Sequence, residues 1–254
     1  MRAYRCIPAV AALLTLILAW PMMAGAAERT GREILNKVDD LYRGSSAHGR
    51  MRMHIVTEHW ERTLKLEFWS KGKEHSLIRI LEPLKEKGTA TLRVENELWN
   101  YLPKVERVIK LPSSMMSASW MGSHFTNDDL VKESRMTEDY SFEVTFGGRK
   151  DGREVIEITC RPKPEAPVVW GKLLVTVRPK DFLPYSIEYY DEDLDLARTM
   201  IFDRIVELDD RTIPARTTML PEDKPDEKTE VTYEAIDFNV DIDRSFFSIR
   251  NLRD

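Results

Sequence analysis

From residue 50 onward, apolar and polar residues alternate with a period of two, the pattern of strands buried on one face. Leu64, Leu66 and Phe68 alternate with Lys65, Glu67 and Trp69, so one side of that strand meets a core. The same reading places strands over residues 50–58, 62–70, 74–81, 89–95, 97–102, 105–110, 139–147, 153–160, 168–178, 183–190, 196–208, 212–220 and 228–238. Lys71-Gly72-Lys73 and Asp151-Gly152 supply tight turns. Ahead of the strands, Ile34, Leu35, Val38, Leu41 and Tyr42 recur at helical spacing. Thr30-Gly31-Arg32-Glu33 forms a capping box in front of them, and Gly44 takes the C′ position behind, which predicts a helix over 31–43. Residues 113–121, 127–133 and 243–248 are candidates for short helices.

Consecutive strands joined by short turns predict an antiparallel meander. A sheet of that length must twist and curl, and its edges must be covered or closed. Few helices are available to cover it, so the sheet is expected to curl around its own contents. Neither a repeat nor an interdomain linker interrupts the series, which predicts a single mainly β domain over residues 27–254.

The N-terminus changes the picture. Arg2 and Arg5 precede an apolar run from Ile7 to Trp20, then Pro21 and the small residues Ala24-Gly25-Ala26-Ala27. This is the layout of a secretory signal peptide, expected over residues 1–26 with cleavage after Ala26. Cys6 precedes the apolar run and is no lipobox cysteine. The chain carries 38 Lys and Arg against 43 Asp and Glu, a net charge of −5, and loss of Arg2 and Arg5 with the leader makes it −7. So acidic a chain has no general electrostatic reason to bind nucleic acid. Cys160 is left as the one cysteine, on a strand face with Ile156 and Ile158, where a buried inert thiol is expected. Disulfide frameworks and Cys-rich zinc sites are excluded.

Catalytic and metal motifs are missing. The five histidines, His48, His54, His59, His75 and His124, form no pair at metal-binding spacing. The chain has no nucleophile elbow, P-loop or dinucleotide fingerprint. Asp191, Asp193 and Asp195 suggest a calcium loop, but Leu196 would stand where Gly belongs and Phe202 where Glu belongs, so a solvated hairpin tip is expected. Asp128 and Asp129 follow Asn127 at a helix start, where capping explains them. The expectation is a protein that is not an enzyme and holds no metal or cofactor.

What is present is apolar and adaptable. Leu98-Trp99-Asn100-Tyr101-Leu102-Pro103 is followed by residues 113–125, in which Met115, Met116, Trp120, Met121 and Phe125 are separated by serines and glycine. Methionine packs against many shapes. The composition suits either a loop that fills the core or an apolar binding surface.

Trp99-x-Tyr101-x-Pro103-x-x-x-Arg107 and Met121-Gly122-Ser123-His124-Phe125-Thr126-Asn127-Asp128-Asp129-Leu130 resemble the outer-membrane lipoprotein-sorting proteins of the LolA-like superfamily. Pro83 with Lys87-Gly88-Thr89-Ala90 resembles an earlier block of that family, which tends to have Asp where His124 stands here. The resemblance implies a periplasmic, strongly curved antiparallel half-barrel whose short helices form a lid over an apolar cavity. It implies lipoprotein acyl chains or another lipid as cargo, with an inner-membrane transporter or exporter as donor and an outer-membrane acceptor. The alternative is a periplasmic lipid- or lipoprotein-sensing regulatory or exporter-associated protein. Leu64, Leu66, Phe68, Trp99, Tyr101, Met115, Met116, Trp120, Met121 and Phe125 are the candidate lipid-binding residues.

Overall fold

The computed structural model describes residues 31–132 and 136–253. The expected leader, Cys6 and Thr30 of the capping box lie outside them. The described part of the first helix, α1, covers 31–39, shorter than the expected 31–43. Its end tightens into turns in which Leu41 N–H donates to Val38 O and Arg43 N–H to Asp40 O, before Gly44 adopts a left-handed φ of 59°.

Thirteen strands follow: β1 (Ser46–Val56), β2 (Glu61–Lys71), β3 (His75–Glu82), β4 (Ala90–Val94), β5 (Glu97–Leu102), β6 (Arg107–Lys110), β7 (Tyr140–Lys150), β8 (Arg153–Pro162), β9 (Lys172–Val177), β10 (Pro184–Tyr190), β11 (Leu196–Leu208), β12 (Arg211–Pro221) and β13 (Lys228–Phe238). All pairings are antiparallel. The ninth strand starts later than expected: its register with β10 begins at Lys172, after the Gly171 turn whose N–H donates to Tyr190 O.

The strand order differs from a simple meander. It runs β6-β5-β4-β3-β2-β1-β13-β12-β11-β10-β9-β8-β7 in a single open sheet. Two meanders thus meet where β1 pairs with β13, from Ala47 opposite Phe238 to Val56 opposite Lys228. The free edges are β6 and β7. The first is four residues long and ends in Arg107 and Lys110; the second carries a bulge near Thr145 and the pair Gly147-Gly148. Short, charged or kinked edges resist pairing with other chains.

One face of this mainly β, curved half-barrel carries the core. Helix α1 lies on it, with Ile34, Leu35 and Val38 packed among Ile158, Cys160, Val175, Ile187 and Phe202. Beside them a second apolar cluster joins Met51, Met53, Ile55, Leu64, Leu66 and Phe68. The opposite face of β3–β5 is covered by the C-terminal segment, including helix α4 (Ile249–Arg253), through Phe246, Phe247 and Leu252.

The topology dictates what covers the inner face. β6 and β7 are neighbours in sequence but lie at opposite edges of the sheet, so residues 111–139 must cross its open side. This crossing segment has two short 3-10 turns at Ser113–Met115 and Trp120–Gly122, then helices α2 (Asn127–Lys132) and α3 (Met136–Asp139).

Candidate functional site

Beneath the crossing segment lies a cavity of about 170 Å³. Met51, Met53 and Phe68 line it from β1 and β2, Val38 and Tyr42 from the helix and its turn, Phe202 and Tyr233 from the other half of the sheet. Trp120, Phe125 and Leu130 close it from above. A smaller cavity of about 50 Å³ sits between Met136, Tyr140, Trp170 and Tyr189. Met136 and Ile187 border both.

The Phe68 ring occupies its place because Gly49, opposite it on β1, has no side chain. A Cβ there would stand 2.7 Å from Phe68 Cε1 and 2.4 Å from Ala235 O. The ring meets Tyr233 edge-on at 5.8 Å, and Tyr233 stacks on Tyr42 at 4.5 Å. These aromatic contacts form a wall between the helix and the sheet.

Of the residues singled out from sequence, Phe68, Trp120 and Phe125 line the cavity. Leu64 and Leu66 are fully buried in the adjoining cluster, against which Met121 also packs. Met116 sits over Leu98 and Leu111 near the β6 edge, and Met115 is exposed. Trp99 and Tyr101 stand elsewhere, on the outer face with Leu77, Leu92 and Phe247. Strand parity explains this: Trp99 pairs with Leu92 and Leu92 with Leu77, whereas the intervening Asn100 and Thr91 face inward. The apolarity of the Trp99–Leu102 strand thus serves the C-terminal cover.

Polar contacts hold the lid, together with the apolar packing of Trp120, Met121, Phe125 and Leu130 on the second cluster. Trp120 Nε1–H donates to Thr91 Oγ1 at 3.1 Å, and the Thr91 hydroxyl donates to Asn100 Oδ1 at 2.8 Å. Three arginines on inward-facing strand positions reach lid carbonyls. Arg62 donates to Met121 O, Arg93 to Leu130 O at 3.0 Å, and Arg198 to His124 O at 3.3 Å. Arg198 also grips Asp129 through two hydrogen bonds, at 2.5 and 2.9 Å, with side chains 7% and 13% exposed, while its guanidinium lies 4.5 Å from the rings of both Trp170 and Tyr189. Sequence reading missed these arginines. The available signal was parity, since Arg62, Arg93 and Arg198 each occupy a position where the alternation of Leu64, Thr91 or Met200 points inward.

Asp129 has a second task. Its Oδ2 accepts from Thr126 N–H at 2.7 Å and its N–H donates to Thr126 Oγ1 at 3.2 Å, a reciprocal cap for α2. His124 Nε2 lies 2.9 Å from Glu227 Oε2, and its backbone N–H donates to Thr229 Oγ1 at 3.0 Å. The partnership with His124 holds the Glu227 carboxyl below the usual carboxylate range. Asp191 accepts from the N–H groups of Asp193 and Asp195, forming a hairpin tip. Among the described residues, no group of three or more His, Cys, Asp or Glu is placed to hold a metal.

A family model described as "Uncharacterized protein" matches residues 72–254. The chain belongs to that family. Solved structures give the fold a wider setting. A DUF1329 family protein from Desulfovibrio piger superposes with a TM-score of 0.80 at 20% identity, over 89% of this chain and 99% of that one. A putative outer membrane lipoprotein-sorting protein domain from Vibrio parahaemolyticus gives 0.77 at 22%, over 89% and 100%. A LolA superfamily protein from Nitrosomonas europaea gives 0.73 at 23%, over 87% and 98%. The chain has the LolA-like fold. No curated protein matches it in sequence.

Proposed function

We propose that the protein is a periplasmic carrier, made with a cleaved leader over residues 1–26, that holds the acyl part of a lipoprotein or another lipid under the lid and passes it toward the outer membrane. The observation that carries this reading is the crossing of residues 111–139 over an apolar cavity. That segment joins the two sheet edges and combines hydrogen bonds to its own carbonyls with the apolar anchors Trp120 and Phe125 over the cavity. When the cover lifts, its polar pins can be exchanged for water, and an acyl chain can take the place of its apolar anchors against the cavity wall.

Burial of each methylene contributes roughly 0.8 kcal/mol, so a sixteen-carbon chain gains about 12 kcal/mol in a fully enclosing site. The closed cavity, at about 170 Å³, is close to the ~150 Å³ that accommodates a benzene ring. A long acyl chain therefore requires the lid to rise and the two cavities to merge past Met136 and Ile187. Phe68, Trp120 and Phe125 are the expected contacts, with Leu64, Leu66 and Met121 behind them.

The test is extraction followed by transfer. Protein purified from the periplasm should yield stoichiometric lipid on organic extraction, and should deliver a radiolabelled acyl cargo to acceptor vesicles. Lipid-free protein that neither takes up nor delivers such a cargo would remove the proposal. Bound lipid without delivery would favour the sensing role instead.

A further inference from the structure

The cavity is not apolar throughout. Along β2 the inward positions read Leu64, Leu66, Phe68 and then Ser70; along β3 they read Ile80, Ile78 and then Ser76. In register, Phe68 faces Ile78 and Ser70 faces Ser76, which in turn faces Arg93 on β4. The last inner row before the β2–β3 turn is therefore Ser70-Ser76-Arg93, at the same end of the cavity. The turn and the end of α1 add more polar groups there. Gly72 N–H donates to Ser45 O at 2.9 Å, which brings Lys73 beside the helix, with Nζ 4.0 Å from Asp39 Oδ2. Arg43 follows on the turn after α1 and also lines the cavity.

The charges at this end are Arg43, Lys73 and Arg93 against Asp39. His75 borders the cavity, but its ring packs against Phe247 on the outer face. So a net positive pole exists inside an acidic chain. Two donors there, Arg43 Nη1 and Ser70 Oγ, are buried and hydrogen-bond to no group among the described residues. Buried donors ordinarily find acceptors, and a guanidinium beside a hydroxyl and an ammonium suits a tetrahedral or planar oxyanion.

We propose that this end is a headgroup site, which selects amphiphiles with a phosphate or carboxylate head through Arg43, Lys73 and Ser70 while the tail lies along Phe68, Met51 and Trp120. The inference rests on the carrier reading and narrows its cargo to anionic amphiphiles. Lys73 is one-third exposed, so the pole lies at the rim, where a head can enter after its tail or remain bonded to a larger cargo.

The test is calorimetric titration of the purified full protein with decyl phosphate, 1-decanol and inorganic phosphate, each below its aggregation or solubility limit. Decyl phosphate should bind at least tenfold more tightly than decanol, a difference of about 1.4 kcal/mol, and inorganic phosphate far more weakly than either. Arg43→Gln should abolish that preference, with decyl phosphate losing at least tenfold more affinity than decanol. Lys73→Gln, at a position one-third exposed, should reduce it in the same sense and serves if the Arg43 variant does not fold. Equal affinity for the two decyl compounds would overturn the headgroup site and leave the carrier reading standing. Inorganic phosphate binding as tightly as decyl phosphate would also overturn it, because the tail would then contribute nothing. Failure of both decyl compounds to bind would count against the carrier reading itself.

Discussion

At Gly49 the packing of the whole cavity wall depends on a missing methyl group. Gly49→Ala would drive a Cβ against Ala235 O and the Phe68 ring. We expect a loss of about 1–3 kcal/mol from overpacking, read as a lower urea midpoint with unchanged slope. Phe68→Asp should cost several kcal/mol by burying a carboxylate, whereas Lys65→Asp, on the outer face beside Glu82, should cost no more than about 1 kcal/mol. Cys160 offers a chemical reading of the same interior. It is fully buried, and burial first, then the nearby Asp39 charge, pushes its thiol from the ordinary 9.0 up to about 12. The folded state thus holds the proton more firmly than the unfolded chain. Its contribution to stability is complete below about pH 9 and is lost as pH rises from there toward 12. At pH 8 the native thiol should resist alkylation, and the labelling rate should follow the denaturant-induced opening of the fold. Alternation made Leu64, Leu66 and Phe68 legible as inward residues. It did not distinguish a residue that lines the cavity from one packed behind it, because that depends on where the lid rests.

Among the elements, the lid is where sequence and structure part most clearly. Thirteen strands were legible because each repeats a period of two between turns rich in glycine, charge or proline. Residues 113–125 were recognisable by large apolar anchors set among small residues. The grip on those anchors was not, because the pinning arginines lie far away in sequence and look like ordinary strand charges. Arg198 is the strongest pin. Arg198→Gln would leave Asp129 partly buried and uncompensated, a change expected to cost about 3–5 kcal/mol if the lid stayed shut. Opening the lid relieves that penalty. The expected outcome is therefore faster amide exchange confined to residues 111–132, a smaller fall in global stability than that penalty, and poorer retention of bound lipid. An equally large drop in stability across the whole sheet would show that the segment is a fixed part of the core.

At the scale of the molecule, strand order was the feature no local signal carried. β1 pairs with β13 across some 180 positions of sequence, and the short turns on either side favour a simple meander. This seam between the two meanders also determines when the protein can fold. A chain that emerges N-terminus first presents β1 with an empty edge until its last strand arrives. Until then the first meander ends in a strand that is paired only with β2 and carries Met51, Met53 and Ile55, the kind of open edge on which other chains add themselves. Folding should accordingly be slow, as expected of distant pairing, and a chain ending at Pro221 should show no cooperative unfolding transition despite keeping twelve strands and the whole lid. Until β13 is made such a molecule is a client for a holding chaperone, and the strand that completes the seam is the one that releases it.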